Sequence, residues 1–339
     1  MDSETGVQKV KYRQLGDSDL NVPVVSFGAW AIGGWRWGGT DDKAAVRAIQ
    51  RAIDLGMTCI DTAAVYGQGH SETVVGKAVA GRRDKVVIAT KCGLRWDCDD
   101  GEFAMDSVDN DGKAFRLYRN LRPESIRYEV DQSLRRLGID RIDLYQCHWP
   151  DITTPLDETM GVLAELQQQG KIRHIGVSNY AVDMLERCMS MTHVVSVQPQ
   201  YNALARDIEQ DLLPFCREHG IGVLTYSSMA QGLLSGKVTM ERVFPETDLR
   251  SKKRWFTPEN RKRVLDMLLK TQPIADAHGA TLAQVAIGWV VAQPGVTTAL
   301  VGARNEQQVE ENVKAAELEL TDNDLRTIRT AVEELGAPI

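Results

Sequence analysis

Three side chains suited to proton transfer close neighbouring apolar runs. Asp61 ends Thr58–Asp61, Lys91 ends Val86–Lys91 and His148 ends Ile142–His148, while Tyr66 follows Asp61 by five residues. A carboxylate and an ammonium buried at strand ends are costly unless they pair. An ammonium held in this way can act on a nearby phenol. A free tyrosine titrates at about 10, so acting near neutrality asks for a pKa lowered by roughly three units, or about 4 kcal/mol. A positive charge about 4 Å away in an effective dielectric of 20 supplies that much. The expected chemistry is a phenol that gives and takes a proton while an imidazole holds a carbonyl oxygen in line. Ser178, Asn179, Gln198 and Tyr226 end further apolar runs and would face the same cleft.

The elements that must position these groups alternate along the chain. Short runs rich in Val, Ile or Leu cover Val24–Gly28, Thr58–Asp61, Val86–Lys91, Ile142–His148, Ile172–Ser178, Val194–Gln198, Gly222–Tyr226 and Thr297–Val301. Between them, apolar residues at helical spacing predict helices over Asp42–Leu55, Glu72–Val79, Pro123–Leu137, Leu156–Gln169, Val182–Ser190, Ile208–His219 and Thr257–Ala292. Gly56, Gly138, Gly170 and Gly220 stand where helices should stop. Eight strands, each followed by a helix, close most naturally into a (β/α)8 TIM barrel, so residues 1–339 read as a single α/β domain. A doubly wound sheet would announce itself with G-x-G-x-x-G after its first strand, and SFGAWAIGGWRWGG lacks that spacing. The extra length is expected in an amino-terminal hairpin over Tyr12–Pro23 and in long loops, Gly93–Leu121 and Ser227–Phe256, after strands three and seven. Both loops would overhang the catalytic face.

Composition narrows the partners. The 339 residues are 43% hydrophobic and 26% charged, with a formal charge of −7, so nothing in the balance attracts nucleic acid or an anionic membrane. Small molecules are the expected partners; the sequence carries no signal for oligomeric state. Six scattered cysteines without a C-x-x-C pair match a reducing compartment. The start MDSETGVQKV lacks the apolar stretch of a secretory signal, so the expected location is the cytoplasm.

DTAAVYG (61–67), ATK (89–91) and QCHWP (146–150) resemble the aldo-keto reductase superfamily, and the likeness spans nearly the whole chain. IRHIGVSNY (172–180), SVQPQYN (196–202), GLLSGK (232–237) and VGARNEQQVEEN (301–312) follow the order of that family's cofactor segments. The resemblance implies an oxidoreductase in which hydride passes between a nicotinamide and a small aldehyde, ketone or sugar carbonyl, with Tyr66 as proton donor. Asp61 and Lys91 would tune the phenol and His148 would position the carbonyl. By the same resemblance Tyr226 stacks on the nicotinamide, while Ser178, Asn179 and Gln198 hold its carboxamide. Ala31, Asp61, Ser227, Met229, Gln231, Gly232, Leu233, Lys237 and Gly302 complete the path of the cofactor. Arg304 meets the 2′-phosphate, with Gln308, Glu311 and Asn312 on the adenine side, so NADP(H) is preferred over NAD(H). The pattern is most similar to bacterial members acting on sugars, polyols or small aldehydes. An alternative is a cofactor-binding regulatory or accessory subunit with little turnover.

Other features have plainer readings. Trp30 and Trp149 stand beside strand ends as substrate walls, whereas Trp35 and Trp37 could equally be loop packing. The histidines show no H-E-x-x-H or related spacing, so no metal is expected. GLLSGK lacks the spacing and the Ser or Thr of a phosphate loop. Cys147 should point away from His148, because neighbours on a strand face opposite sides. The run Arg250, Lys252, Lys253, Arg254 is either a solvated loop or a lid on the cofactor phosphates. The acidic group Asp97, Asp99, Asp100 and Glu102 argues against an anionic substrate.

Overall fold

The eight apolar runs form a closed parallel barrel in the computed structural model, which describes residues 10–339. In chain order the strands are β1 (Tyr12–Gln14), β2 (Asn21–Pro23), β3 (Val25–Gly28), β4 (Cys59–Asp61), β5 (Val87–Cys92), β6 (Leu94–Arg95), β7 (Glu102–Val108), β8 (Ala114–Arg119), β9 (Ile142–Cys147), β10 (Ile172–Ser178), β11 (Val194–Gln198), β12 (Gly222–Thr225) and β13 (Thr298–Val301). The helices are α1 (Asp42–Asp54), α2 (His70–Val79), α3 (Pro123–Leu137), α4 (Leu156–Gln168), α5 (Val182–Met191), α6 (Leu212–Glu218), α7 (Pro258–Ala277), α8 (Leu282–Val291), α9 (Glu306–Val313) and α10 (Asp322–Leu335). Around the barrel the order is β3, β4, β5, β9, β10, β11, β12, β13.

Strand alternation divides the core. Cys59, Ala89, Leu144, Leu224 and Leu300 point into the barrel, while Ile60, Ile88, Tyr145, Val223 and Val301 pack outward beneath the helices. The β1–β2 hairpin forms as expected and closes the floor with buried Leu15, Leu20 and Val22. Its turn needs Gly16, which has φ +59°; a Cβ there would lie 2.4 Å from the Val195 carbonyl oxygen. Cys147 is fully buried in the outer core, on the side away from His148.

Three expectations need correcting. Gly93–Leu121 is not simply a loop: it carries an antiparallel sheet in the order β6-β8-β7. Ile208–His219 breaks into a short 3-10 turn and α6, because Asp211 caps a new helix at Leu212 just ahead of Pro214. The long helix over Thr257–Ala292 is α7 and α8, which meet at 86° around Gly279 (φ +58°). Helices α9 and α10 lie outside the expected set. Among the described residues no single helix is long and apolar enough to cross a membrane; the bent pair of α7 and α8 reaches that length and hydropathy only together.

Candidate active site

Parallel register brings a polar layer together at the carboxyl ends of the strands. Asp61 pairs with Ala89 across β4 and β5, and Lys91 pairs with Gln146 across β5 and β9. Lys91 Nζ donates to Asp61 Oδ1 at 2.6 Å, to the Thr62 carbonyl at 2.8 Å and to the Tyr66 hydroxyl at 3.3 Å. Asp61 Oδ2 accepts from Gln198 Nε2 at 2.8 Å and from Gln146 Nε2 at 3.2 Å. The ammonium and carboxylate are thus buried with all three ammonium protons and both carboxylate oxygens directed at a partner, the condition under which a buried ion pair is tolerated. Tyr66 sits in the turn after β4. Gly67, at φ +65°, lets this turn press on Gly33, since a Cβ there would lie 2.2 Å from the Gly33 carbonyl oxygen. The His148 ring meets the Tyr66 ring edge-on, with centroids 5.7 Å apart. Trp30 stacks on the other side of Tyr66 at 5.9 Å.

The electrostatics depart from the expected downward tuning. Burial, reinforced by the charge of Asp61, pushes the Tyr66 phenol above its ordinary 10. Lys91 cannot dominate, because its charge is already matched by the carboxylate 2.6 Å away. Burial lowers Lys91 itself, against the opposing pull of Asp61. His148 is driven well below 6.5, first by burial and then by Lys91, so its imidazole is neutral at neutral pH. In the protein alone, the phenol is a proton donor held ready beside a neutral imidazole.

A cavity of about 630 Å³ opens above this layer and runs from the β7–β8 sheet to the loop before α9. Trp30, Ala31, Asp61, Tyr66, His148 and Trp149 line one part of it. Ser178, Asn179, Gln198 and Tyr226 line the wall formed by β10–β12. Tyr226 donates to Asn179 Oδ1 at 2.8 Å, which fixes its ring. Both amide hydrogens of Gln198 are taken, by Asp61 and by Gln146 Oε1 at 3.2 Å, so only its oxygen is left for a ligand. Ser227, Met229, Gln231 and Gly232 line the far wall, where Ser227, Ala230 and Gln231 hold positive φ without being glycine. Such strain, about 1–3 kcal/mol per residue, collects at ligand sites. Gly302, Arg304 and Gln308 line the remaining end.

Four residues expected on the cofactor path do not line the cavity. Leu233 is buried in the core, Lys237 and Glu311 form an exposed ion pair at 2.6 Å, and Asn312 Nδ2 supports the Gly302 carbonyl at 3.2 Å. Trp35 and Trp37 both line the cavity: Trp35 packs against Phe115 and donates to Ser107 Oγ at 3.1 Å, and Trp37 lies under Arg250 and Arg304. The indole nitrogens of Trp30 and Trp37 are buried without an acceptor. Among the described residues no cluster of three His, Cys, Asp or Glu could hold a metal ion.

The model of the aldo/keto reductase family matches residues 24–333. This chain belongs to that family. It is 39% identical over 327 residues to the NADH-specific methylglyoxal reductase of Escherichia coli, covering 95% of this chain and 98% of the relative. It is 37% identical over 327 residues to the aldo-keto reductase YhdN of Bacillus subtilis, covering 96% and 94%. Among solved structures it resembles the glycerol dehydrogenase of Gluconobacter oxydans, with a TM-score of 0.85 and 37% identity over 97% of this chain and 96% of that one.

Several contributors to this aldo/keto reductase site escaped the sequence reading. Gln146 was visible only as part of QCHWP, yet it braces Asp61. Leu94, Ala104, Met105, Leu117 and Arg119 reach the cavity from the β6–β8 sheet. The available signal was the N-D-G turn at 110–112, flanked by Phe103 and Met105 on one side and Phe115 and Leu117 on the other. Three of the four acids expected to oppose an anion are occupied elsewhere: Asp97 with Arg95, Asp100 with Arg122, and Glu102 with Arg119. None of them, nor Asp99, lines the cavity.

Proposed function

We propose that this chain is an NADP(H)-dependent carbonyl reductase that interconverts a small aldehyde, ketone or sugar carbonyl and its alcohol. The observation that carries this reading is the Asp61–Lys91–Tyr66 chain of hydrogen bonds ending beside His148 at the floor of one cavity. The donor set fits a dinucleotide. Arg242 and Arg304 line the cavity without a carboxylate partner among the described residues, Tyr226 offers an aromatic wall, and the Trp37 N–H lacks an acceptor. When bound, the nicotinamide supplies the hydride. Ser178, Asn179, the Gln198 oxygen and Tyr226 would hold the nicotinamide end, and Arg304 with Gln308 the adenosine end.

The protein's own work is proton handling and orientation. The phenol, protonated at neutral pH, donates to the carbonyl oxygen while the neutral His148 offers a second hydrogen bond, so the developing negative charge meets two donors in a site shielded from water. Lys91 then supports the phenolate at 3.3 Å, and Asp61 keeps that ammonium charged despite its burial. Arg304 favours the coenzyme with the extra phosphate, because a guanidinium matches phosphate geometry; the E. coli relative's NADH label makes this the point to test first.

A panel of aldehydes, ketones and sugars followed by loss of NADPH or NADH absorbance, with polyols in the reverse direction, tests the reading. Turnover of at least one carbonyl class with lower Kd for NADPH is expected. Tight coenzyme binding with no turnover would instead make the chain an accessory subunit.

A further inference from the structure

The chain carries a formal charge of −7, yet five arginines line its cavity: Arg36, Arg119, Arg242, Arg250 and Arg304. The one acidic side chain among the lining residues, Asp61, is spent on Lys91. Two of the arginines are also matched, Arg119 by Glu102 at 3.0 Å and Arg250 by Asp248 at 2.7 Å. Of the other three, Arg242 and Arg304 belong with Arg250 at the Trp37 end: Arg250 lies 4.9 Å above the Trp37 ring and Arg304 5.9 Å, and Arg242 and Arg250 both act on the charge of Arg304.

Arg36 stands apart from that group. Its Nη1 donates to Met105 Sδ at 3.5 Å, a weak acceptor, and among the described residues no carboxylate lies within ion-pair distance. Met105 packs with Leu94, Leu117, Trp30 and Tyr66 in the apolar cluster that roofs the phenol. The backbone holds Arg36 at φ +63°, and its carbonyl accepts from Leu249 N at 3.1 Å, so the residue is fixed from both loops. Burial lowers the pKa of its guanidinium, an environment in which an anion would be bound more tightly than in water.

We propose that Arg36 is a specificity-determining residue that binds an anionic group, a carboxylate or a phosphate, on the substrate, so that the preferred carbonyl compounds carry such a group beyond the reacting carbon. This rests on the carbonyl-reductase reading above and names its substrate class. Trp30, with its buried indole N–H free, is a further donor in the same compartment.

The test compares ω-oxo carboxylic acids of increasing chain length with their neutral methyl esters. At one chain length the acid should exceed its ester by about tenfold or more in kcat/KM, mainly through KM. In Arg36→Met that ratio should collapse toward one, and Arg36→Lys should recover part of it. Equal kcat/KM for acid and ester at every length overturns the inference and leaves the carbonyl-reductase reading standing. So does an Arg36→Met protein whose ratio persists while its Kd for NADPH rises, because the guanidinium then holds coenzyme phosphate. A separate readout covers failure of the reductase reading itself: with saturating coenzyme, the acids should quench tryptophan fluorescence in wild type and not in Arg36→Met. Absence of that difference overturns the anion site whether or not turnover is seen.

Discussion

The two ends of the cavity handle charge in opposite ways. At the strand ends, Asp61 and Lys91 face each other at 2.6 Å; Asp61 accepts from Gln146 and Gln198 and Lys91 donates to the Thr62 carbonyl, so the site is electrically complete before any ligand arrives. On the loops that cover the cavity, Arg242 and Arg304 near Trp37, and Arg36 beside Met105, have no carboxylate partner among the described residues. On the carbonyl-reductase reading proposed above, the difference follows from what each region would do. A proton relay has to be ordered in every state, and rigid parallel strands supply that order. A binding region gains affinity by leaving its cations unneutralised until an anion replaces their water.

The sharpest way to break this contrast is to remove one cation from each end and compare stability. Lys91→Met strands the buried Asp61 carboxylate, so urea unfolding should show a loss of about 3–5 kcal/mol, together with loss of turnover. Arg304→Met strands no charge, releasing only the Trp37 carbonyl to which the guanidinium donates, and should stay within about 1 kcal/mol of wild type. Equal losses would mean that the arginine end is as structurally committed as the relay.

Tyr66→Phe tests the relay without disturbing its charge. Turnover should fall by about 10²–10⁴-fold, the usual worth of a positioned general acid, with Kd for coenzyme nearly unchanged. The wild-type pH profile adds direction to this. With the phenol pushed above 10, carbonyl reduction should hold level from neutrality toward pH 10, while alcohol oxidation, which needs the phenolate, should climb with pH over that range. A reduction rate that falls off near pH 7 would mean that Lys91 overrides burial after all.

At the open end the expected effect is smaller. Arg304→Ala should raise Kd for NADPH by roughly 10- to 100-fold, the worth of a charge-assisted hydrogen bond, and raise Kd for NADH much less. Fluorescence titration with both coenzymes reads the ratio. An unchanged ratio places the 2′-phosphate elsewhere, with Arg242 as the next residue to replace.

The same contrast governs what could be read from the sequence. The strand ends were legible because Asp61, Lys91 and His148 each terminate an apolar run, and period-two alternation with parallel register then dictates that they meet. The barrel followed from counting those runs, and the helix stops from Gly56, Gly138, Gly170 and Gly220, all at positive φ. The sign of the phenol's pKa was not legible, because it depends on how completely Asp61 cancels Lys91, a balance set by distances. The arginine end was hidden for a different reason. Arg36, Arg119 and Arg242 lie in three separate segments between barrel strands, and the acids that accompany Arg119 in sequence suggested a negative mouth. Only folding of the β6–β8 sheet shows that three of those acids, Asp97, Glu102 and Asp100, are occupied by Arg95, Arg119 and Arg122.

A third way of settling buried charge occurs at the root of that sheet. Glu129, on α3, is buried and accepts the Gly93 N–H through both carboxylate oxygens, at 3.0 and 3.1 Å. Among the described residues no cation pairs with it directly, and burial raises its pKa from 4.5 to about 8, partly offset by the Gly93 hydrogen bonds and the charge of Arg95. The fold therefore keeps the proton that an unfolded chain releases above about 4.5, so this carboxyl's contribution is complete below that pH and is lost as pH rises through about 8. In Glu129→Gln the side chain stays neutral at every pH. Its stability relative to wild type should therefore improve steadily from pH 4.5 to pH 8, read as the difference in Tm at each pH. A difference that does not move across this window would mean that Glu129 is ionised in the fold, and that Arg95 closes this site by pairing, as Lys91 closes the relay.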